Sequence, residues 1–173
     1  MILRRALLAL GALMPFAAPV PVGAQPARPR FYAKGTKQRA VRFTGSEGAE
    51  LSGTLMLPIW SELEKVPGVV LVAGSGPTDR NGNNALVPER IDLLKQIAEL
   101  LAEAGIATLR YDKRGIGAST QKPHGSVAEL ERFFSWDNFV GDVAAAHAEL
   151  VKHDEIKSYA TALLGHSEGG LLV

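Results

Sequence analysis

Along this chain the spacing of apolar positions changes period from segment to segment, and each change marks an element. Ala40-Val-Arg-Phe-Thr44 and Leu51-Ser-Gly-Thr-Leu-Met-Leu57 alternate apolar and polar positions for much of their length, the two-residue period of half-buried strands. Gly45-Ser-Glu-Gly48 between them has hairpin chemistry, and Pro58 closes the second strand. Val69-Val-Leu-Val-Ala73 is continuous and β-branched, as in a parallel strand covered on both faces. From Pro88 the period lengthens: Ile91, Leu94, Ile97, Ala98 and Leu101 share one helical face, and Gly105 falls where a helix-ending glycine belongs. Ile106 to Tyr111 predicts the next strand, Trp136 to Val151 a second amphipathic helix with Trp136, Val140, Val143, His147 and Leu150 on its buried stripe, and Tyr159 to Leu164 a last strand. Strands alternating with helices predict an α/β fold whose sheet starts antiparallel and continues parallel, with flanking helices.

The first residues follow another rule. Arg4 and Arg5 precede an apolar run from Ala6 to Met14, and small residues continue to Val22-Gly23-Ala24 before Gln25, the layout of a secretory signal peptide. An uncleaved anchor is the competing reading, but the run falls short of the ~20 residues a span needs, and Pro15, Pro19 and Pro21 interrupt it. The expected organisation is a signal peptide at 1–24 cleaved after Ala24, a loose leader at 25–39 and an α/β domain at 40–173, in a secreted or periplasmic protein. Cleavage would remove Arg4 and Arg5 and no acid, leaving 17 basic against 18 acidic side chains of the 19 and 18 in the whole chain. Near-neutral charge gives no electrostatic case for nucleic acid or an anionic membrane surface. Cysteine is absent, so disulfides, thiolate zinc sites and a lipidated cysteine are excluded.

Chemistry concentrates near the end. Gly165-His-Ser-Glu-Gly169 is a G-x-S-x-G sequence with an apolar run before it and a helix start after it, the context of a nucleophile elbow rather than of a chance match. The glycines clear room for a sharp bend, Ser167 is the candidate nucleophile, and the Glu168 backbone N–H is a candidate oxyanion donor. Ala73-Gly-Ser-Gly-Pro77 ends the long apolar strand and opens a polar loop through Asn84. The Ser75 backbone N–H is the candidate second donor, against an ordinary glycine turn. A phosphate loop is disfavoured, because no Lys-Ser/Thr follows and Asp79 occupies the third glycine position of a dinucleotide fingerprint. Asp112-Lys-Arg-Gly-Ile-Gly-Ala-Ser119 suggests a turn braced by an Asp112–Arg114 pair, structural rather than directly catalytic. Of four histidines, His147 lies on an apolar helix face, His153 near that helix's C-terminus, His166 beside the serine but pointing away, and His124 in a loop. None is a convincing general base, and no metal-ligand spacing is present.

Together these segments resemble the α/β-hydrolase superfamily, over nearly all the chain after the leader. Gly74 to Asn83 (GSGPTDRNGN) and Leu109 to Gly115 (LRYDKRG) resemble bacterial EstD-like esterases, relatives of serine aminopeptidase-type hydrolases. The resemblance implies Ser167 as nucleophile and the Ser75 and Glu168 amides as oxyanion hole. It also implies a carboxylesterase that forms an acyl-enzyme on a small-molecule ester, with no cofactor and no metal. Serine peptidase, thioesterase or a non-catalytic remnant are the alternatives. In that fold the acid and histidine follow the serine, whereas this chain ends at Val173. The expectation is therefore the N-terminal half of the fold, truncated after the elbow, whose isolated chain turns over little and whose last strand is an exposed apolar edge. Oligomeric state is not readable.

Overall fold

The computed structural model describes residues 35–119 and 125–173. The expected signal peptide, residues 25–34 of the expected leader, and His124 lie outside the described residues.

Within the unit that holds the described residues, five strands form one mixed sheet: β1 (Thr36–Thr44), β2 (Glu50–Pro58), β3 (Val66–Val72), β4 (Ala107–Tyr111) and β5 (Ile156–Gly165), in the order β1-β2-β4-β3-β5. β1 and β2 are antiparallel, β2 meets β4 antiparallel, and β3 runs parallel to β4 on one side and β5 on the other. The antiparallel start and parallel continuation match the sequence pattern. β1 begins four residues before the expected Ala40, because Thr36 to Arg39 continue the ladder opposite Pro58 to Leu55.

Among the described residues, α1 (Leu93–Glu103) and α3 (Trp136–Val151) pack on the sheet, and a short helix, α2 (Val127–Phe133), precedes α3. The unbroken apolar run of β3 is explained by two covered faces. Val66, Val70 and Val72 join the cluster that includes Val143, Ala146 and Leu150 of α3. Leu71 turns the other way to meet Ala98 and Ala102 of α1 together with Met56.

Two expectations are corrected. The helix after Pro88 starts at Leu93, and Ile91 is 60% exposed. The loop takes over the expected first turn: Leu94 N–H donates to the Asn81 carbonyl, and Asn83 Nδ2 to the Asp92 carboxylate. On α3, Trp136 and Val140 are exposed, and Asn138 and Asp142 take the buried stripe with Val143, Ala146 and Leu150. Those polar positions are buried because they have partners. Ser46 Oγ donates to Asn138 Oδ1 at 2.7 Å, and Asp142 receives the Arg114 guanidinium at 2.6 Å.

Candidate active site

The three loops that matter leave the carboxyl ends of β3, β4 and β5. β4 lies on one side of β3 and β5 on the other, so connections from these strands diverge and open a crevice where ligands bind α/β sheets.

At the end of β5, His166 is extended and its N–H donates to the Val72 carbonyl at 3.0 Å, which ties the bend to β3. Ser167 follows with φ 54°, a left-handed conformation costing a non-glycine residue roughly 1–3 kcal/mol. A five-residue 3₁₀ turn, Ser167–Leu171, carries the chain away. This last element is 3₁₀ rather than α-helical. A side chain on Gly165 would strike the Gly169 carbonyl, and one on Gly169 would strike the Val72 carbonyl. The two glycines of the motif are thus required by close backbone approach at the bend. Gly169 N–H bonds the His166 carbonyl at 2.9 Å, and Leu172 anchors the turn in the core.

Above this bend lies the loop after β3. A Cβ on Gly74 would sit 3.3 Å from Ser167 Cβ and 3.2 Å from His166 Nδ1, so the backbone leading into Ser75 passes directly over the serine. Ser75 is exposed, and its carbonyl accepts the Thr78 hydroxyl at 2.7 Å. Asp79 then accepts the Asn81 and Asn83 amides at 2.9 Å each. Glu168 stands in the first turn after Ser167, where an N–H has no partner within its own helix.

The loop after β4 locks the other two together. Asp112 accepts the Arg80 amide at 2.7 Å, its guanidinium at 2.6 Å and the Ala118 amide at 2.8 Å. Lys113 Nζ reaches Glu168 Oε2 at 2.6 Å, and Arg114 makes a bidentate pair with Asp142. The expected Asp112–Arg114 brace is therefore replaced by two pairs with partners far along the chain. Neither Lys113 nor Arg80 stood out in the sequence; the available signal was the run of charges directly after the fully buried β4. Burial, with the Asp142 charge adding to it, pushes the Tyr111 phenol well above its ordinary range, so this residue behind the loop stays neutral.

The imidazoles of His147 and His153 stand elsewhere. His147 Nε2 pairs with Thr161 Oγ1 at 2.9 Å, about 13 Å of strand below Gly165 at ~3.3 Å per residue. The His153 carbonyl accepts the Ile156 amide at the opposite end of β5. No hydrogen bond joins the Ser167 hydroxyl to another described residue. Among the described residues no group of three or more His, Asp or Glu is arranged to hold a metal, and no helix is long and apolar enough to cross a membrane. A cavity of about 410 Å³ opens between the β1–β2 hairpin and Ala118, apart from the elbow.

Residues 87–173 match the family model described as serine aminopeptidase, S33. The chain belongs to this family. The match takes in β4, α3 and the elbow, while the β1–β2 hairpin and the loop after β3 precede it. Solved structures extend the likeness over most of this chain. The α/β-hydrolase GrgF from Penicillium sp. sh18 aligns with TM-score 0.57 and 23% identity over 79% of this chain and 39% of its own. A dienelactone hydrolase-like promiscuous phosphotriesterase from metagenomic libraries aligns with TM-score 0.59 and 20% identity over 80% and 52%. Brefeldin A esterase, a bacterial homologue of human hormone sensitive lipase, aligns with TM-score 0.50 and 19% identity over 86% and 36%. These likenesses establish the α/β-hydrolase fold, and the chain spans between about a third and a half of each of these neighbours. No curated protein matches it. The S33 assignment and the fold agree with the resemblance read from the sequence.

Proposed function

We propose that this S33-family chain carries the nucleophile and oxyanion-binding amides of a serine hydrolase that acts on carboxylic esters. The observation that carries the reading is Ser167 at φ 54°, at the crevice between β3 and β5 and beneath the Gly74–Ser75 backbone. In the proposed reaction Ser167 Oγ attacks the ester carbonyl carbon and its proton passes to a histidine. That histidine and its acid partner come from outside the described residues. The Ser75 and Glu168 amides bind the oxyanion. The C–O bond to the alcohol breaks, the alcohol leaves with the proton, and water then releases the acid and restores the serine. None of these steps calls for a cofactor.

The test is made on the full-length protein. Ser167 should take up a fluorophosphonate, located by peptide mass, and Ser167→Ala should lose nearly all turnover of p-nitrophenyl acetate. Full activity in that variant would sink the reading. Aminopeptidase action is the second reading, favoured by the description of the family model. Faster turnover of aminoacyl amides than of esters would establish it. Export belongs to the same proposal: the mature protein should begin at Gln25, as N-terminal sequencing of a periplasmic or secreted fraction would reveal.

A further inference from the structure

We propose that Lys113 is a positioning residue for the nucleophile elbow, acting through Glu168 to hold the peptide that presents the oxyanion amide. The inference rests on the reading of Ser167 as nucleophile and of the Glu168 N–H as an oxyanion donor.

The geometry is specific. Lys113 leaves the end of β4 with its side chain only 4% exposed, and its ammonium meets Glu168 Oε2 at 2.6 Å, the carboxylate being 30% exposed. The same ammonium stands 5.4 Å from the centre of the Phe139 ring, a position with a favourable cation–π term. A buried ammonium is costly unless it is paired, so this lysine holds its partner far more tightly than a surface lysine could.

What it holds is the residue immediately after the strained serine. The turn that follows Ser167 is five residues of 3₁₀, a geometry with poor hydrogen bonds that propagates badly. The Gly169-to-His166 bond restrains it from within, and the Glu168 side chain gives it a second point of attachment, on another loop. Removing that tether leaves the strand and core intact but frees the Glu168 peptide to rotate. Catalytic donors must be held within roughly 0.5 Å and 10–20° of their working geometry. A lysine can alternatively act as the base for a serine. Here its ammonium is engaged by a carboxylate on the neighbouring residue, which favours restraint over proton transfer.

The experiment uses the full-length protein with p-nitrophenyl acetate, measuring kcat and KM separately across pH for Lys113→Met, Lys113→Arg, Glu168→Gln and the Lys113→Met/Glu168→Gln double variant. We expect kcat to fall roughly 10–100-fold in Lys113→Met, since a small misplacement costs up to about 10²-fold, while KM stays within about twofold. Lys113→Arg should recover most of the rate, Glu168→Gln should fall like Lys113→Met, and the double variant should be no worse than either, because coupled residues are not additive. The pH dependence of the surviving activity should keep its shape. Unchanged kcat in folded Lys113→Met, or in folded Glu168→Gln should the methionine variant not fold, would overturn the proposal. So would additive losses, or a dead Lys113→Arg with an altered pH profile, which would make Lys113 the base. A fully active Ser167→Ala would instead remove the underlying reading, so the two failures are separable.

Discussion

Lys113 and Arg114 are adjacent in sequence, both buried and both cationic, yet they are built into the molecule in opposite ways. Arg114 and Asp142 are each 1% exposed and meet through two parallel bonds of 2.7 and 2.6 Å. The guanidinium also donates to the carbonyls of Phe133, Ser46 and Asn138 and lies 5.0 Å from the Phe133 ring centre. Arginine's planar fork of donors suits such complete satisfaction, and it joins β4's loop to α3, to the hairpin and to the end of α2. Lys113 has one carboxylate, on a residue that solvent still reaches. Full satisfaction in the first case makes architecture. The single partner in the second leaves an adjustable contact, and it is aimed at the elbow.

The largest expected effect comes from breaking the sealed pair. Asp142→Ala leaves a buried guanidinium without its counter-charge, which costs about 3–5 kcal/mol, a large part of the 5–15 kcal/mol typical of a whole domain. The urea midpoint should fall accordingly with little change in slope. A midpoint equal to the parent's would mean that Arg114 is satisfied by its carbonyl partners and water, and the contrast with Lys113 would collapse.

Next in size is Asp112→Asn. Asp112 is buried too, though slightly less than the sealed pair, and ties loop to loop, through Arg80 and Ala118. Hydrogen bonds to charged groups contribute about 1.5–3 kcal/mol, so a loss of about 2–3 kcal/mol is expected. The Ser75 loop should also move off the elbow and slow fluorophosphonate labelling. Lost stability with undiminished labelling of the folded fraction would show that Asp112 does not position that loop.

Lys113→Met should cost less stability, about 1 kcal/mol by urea unfolding, because the abandoned Glu168 carboxylate can hydrate and the methionine fills the apolar space beside Phe139. Its effect should show in kcat instead. A stability loss as large as that of Asp142→Ala would make Lys113 one more structural cation.

Which acid meets which base is the part of this molecule that could not be read in advance. Apolar periodicity marked all five strands and placed α3 at Trp136 to Val151, the bounds observed, because those elements repeat a pattern over their own length. The elbow was legible for a similar reason: its glycines are demanded by contacts within a few residues and with the adjoining β3. β5 lies at an edge of the described sheet, with Tyr159 85% exposed. α2 was missed although its signature was present, the Ser126-x-x-Glu129 capping box, in which each side chain bonds the other's backbone. Arg80–Asp112, Arg114–Asp142 and Lys113–Glu168 join residues 28 to 55 positions apart. No local period encodes them, and the nearer pairing of Asp112 with Arg114 was the natural but incorrect choice.

The smallest effect is expected where a pair copies the sealed one in chemistry but not in burial. Arg132 forks onto Glu47 at 2.6 Å, both well exposed. Hydrogen bonding from Arg132, then from Asn138, holds the Glu47 carboxyl below the ordinary carboxylate range. A carboxyl depressed in the folded state stabilises above its unfolded pKa, and that contribution is lost as pH falls through the depressed value. Glu47→Gln should therefore be marginally less stable than the parent at pH 7 and low salt. The difference should vanish at acid pH below the depressed value, and in concentrated salt, which screens exposed charges. Urea midpoints of parent and variant at two pH values and two salt concentrations measure this directly. Should Glu47→Gln rival Asp142→Ala, bidentate geometry rather than desolvation would be what separates structural from adjustable cations here, and the contrast between Arg114 and Lys113 would have to be rewritten in those terms.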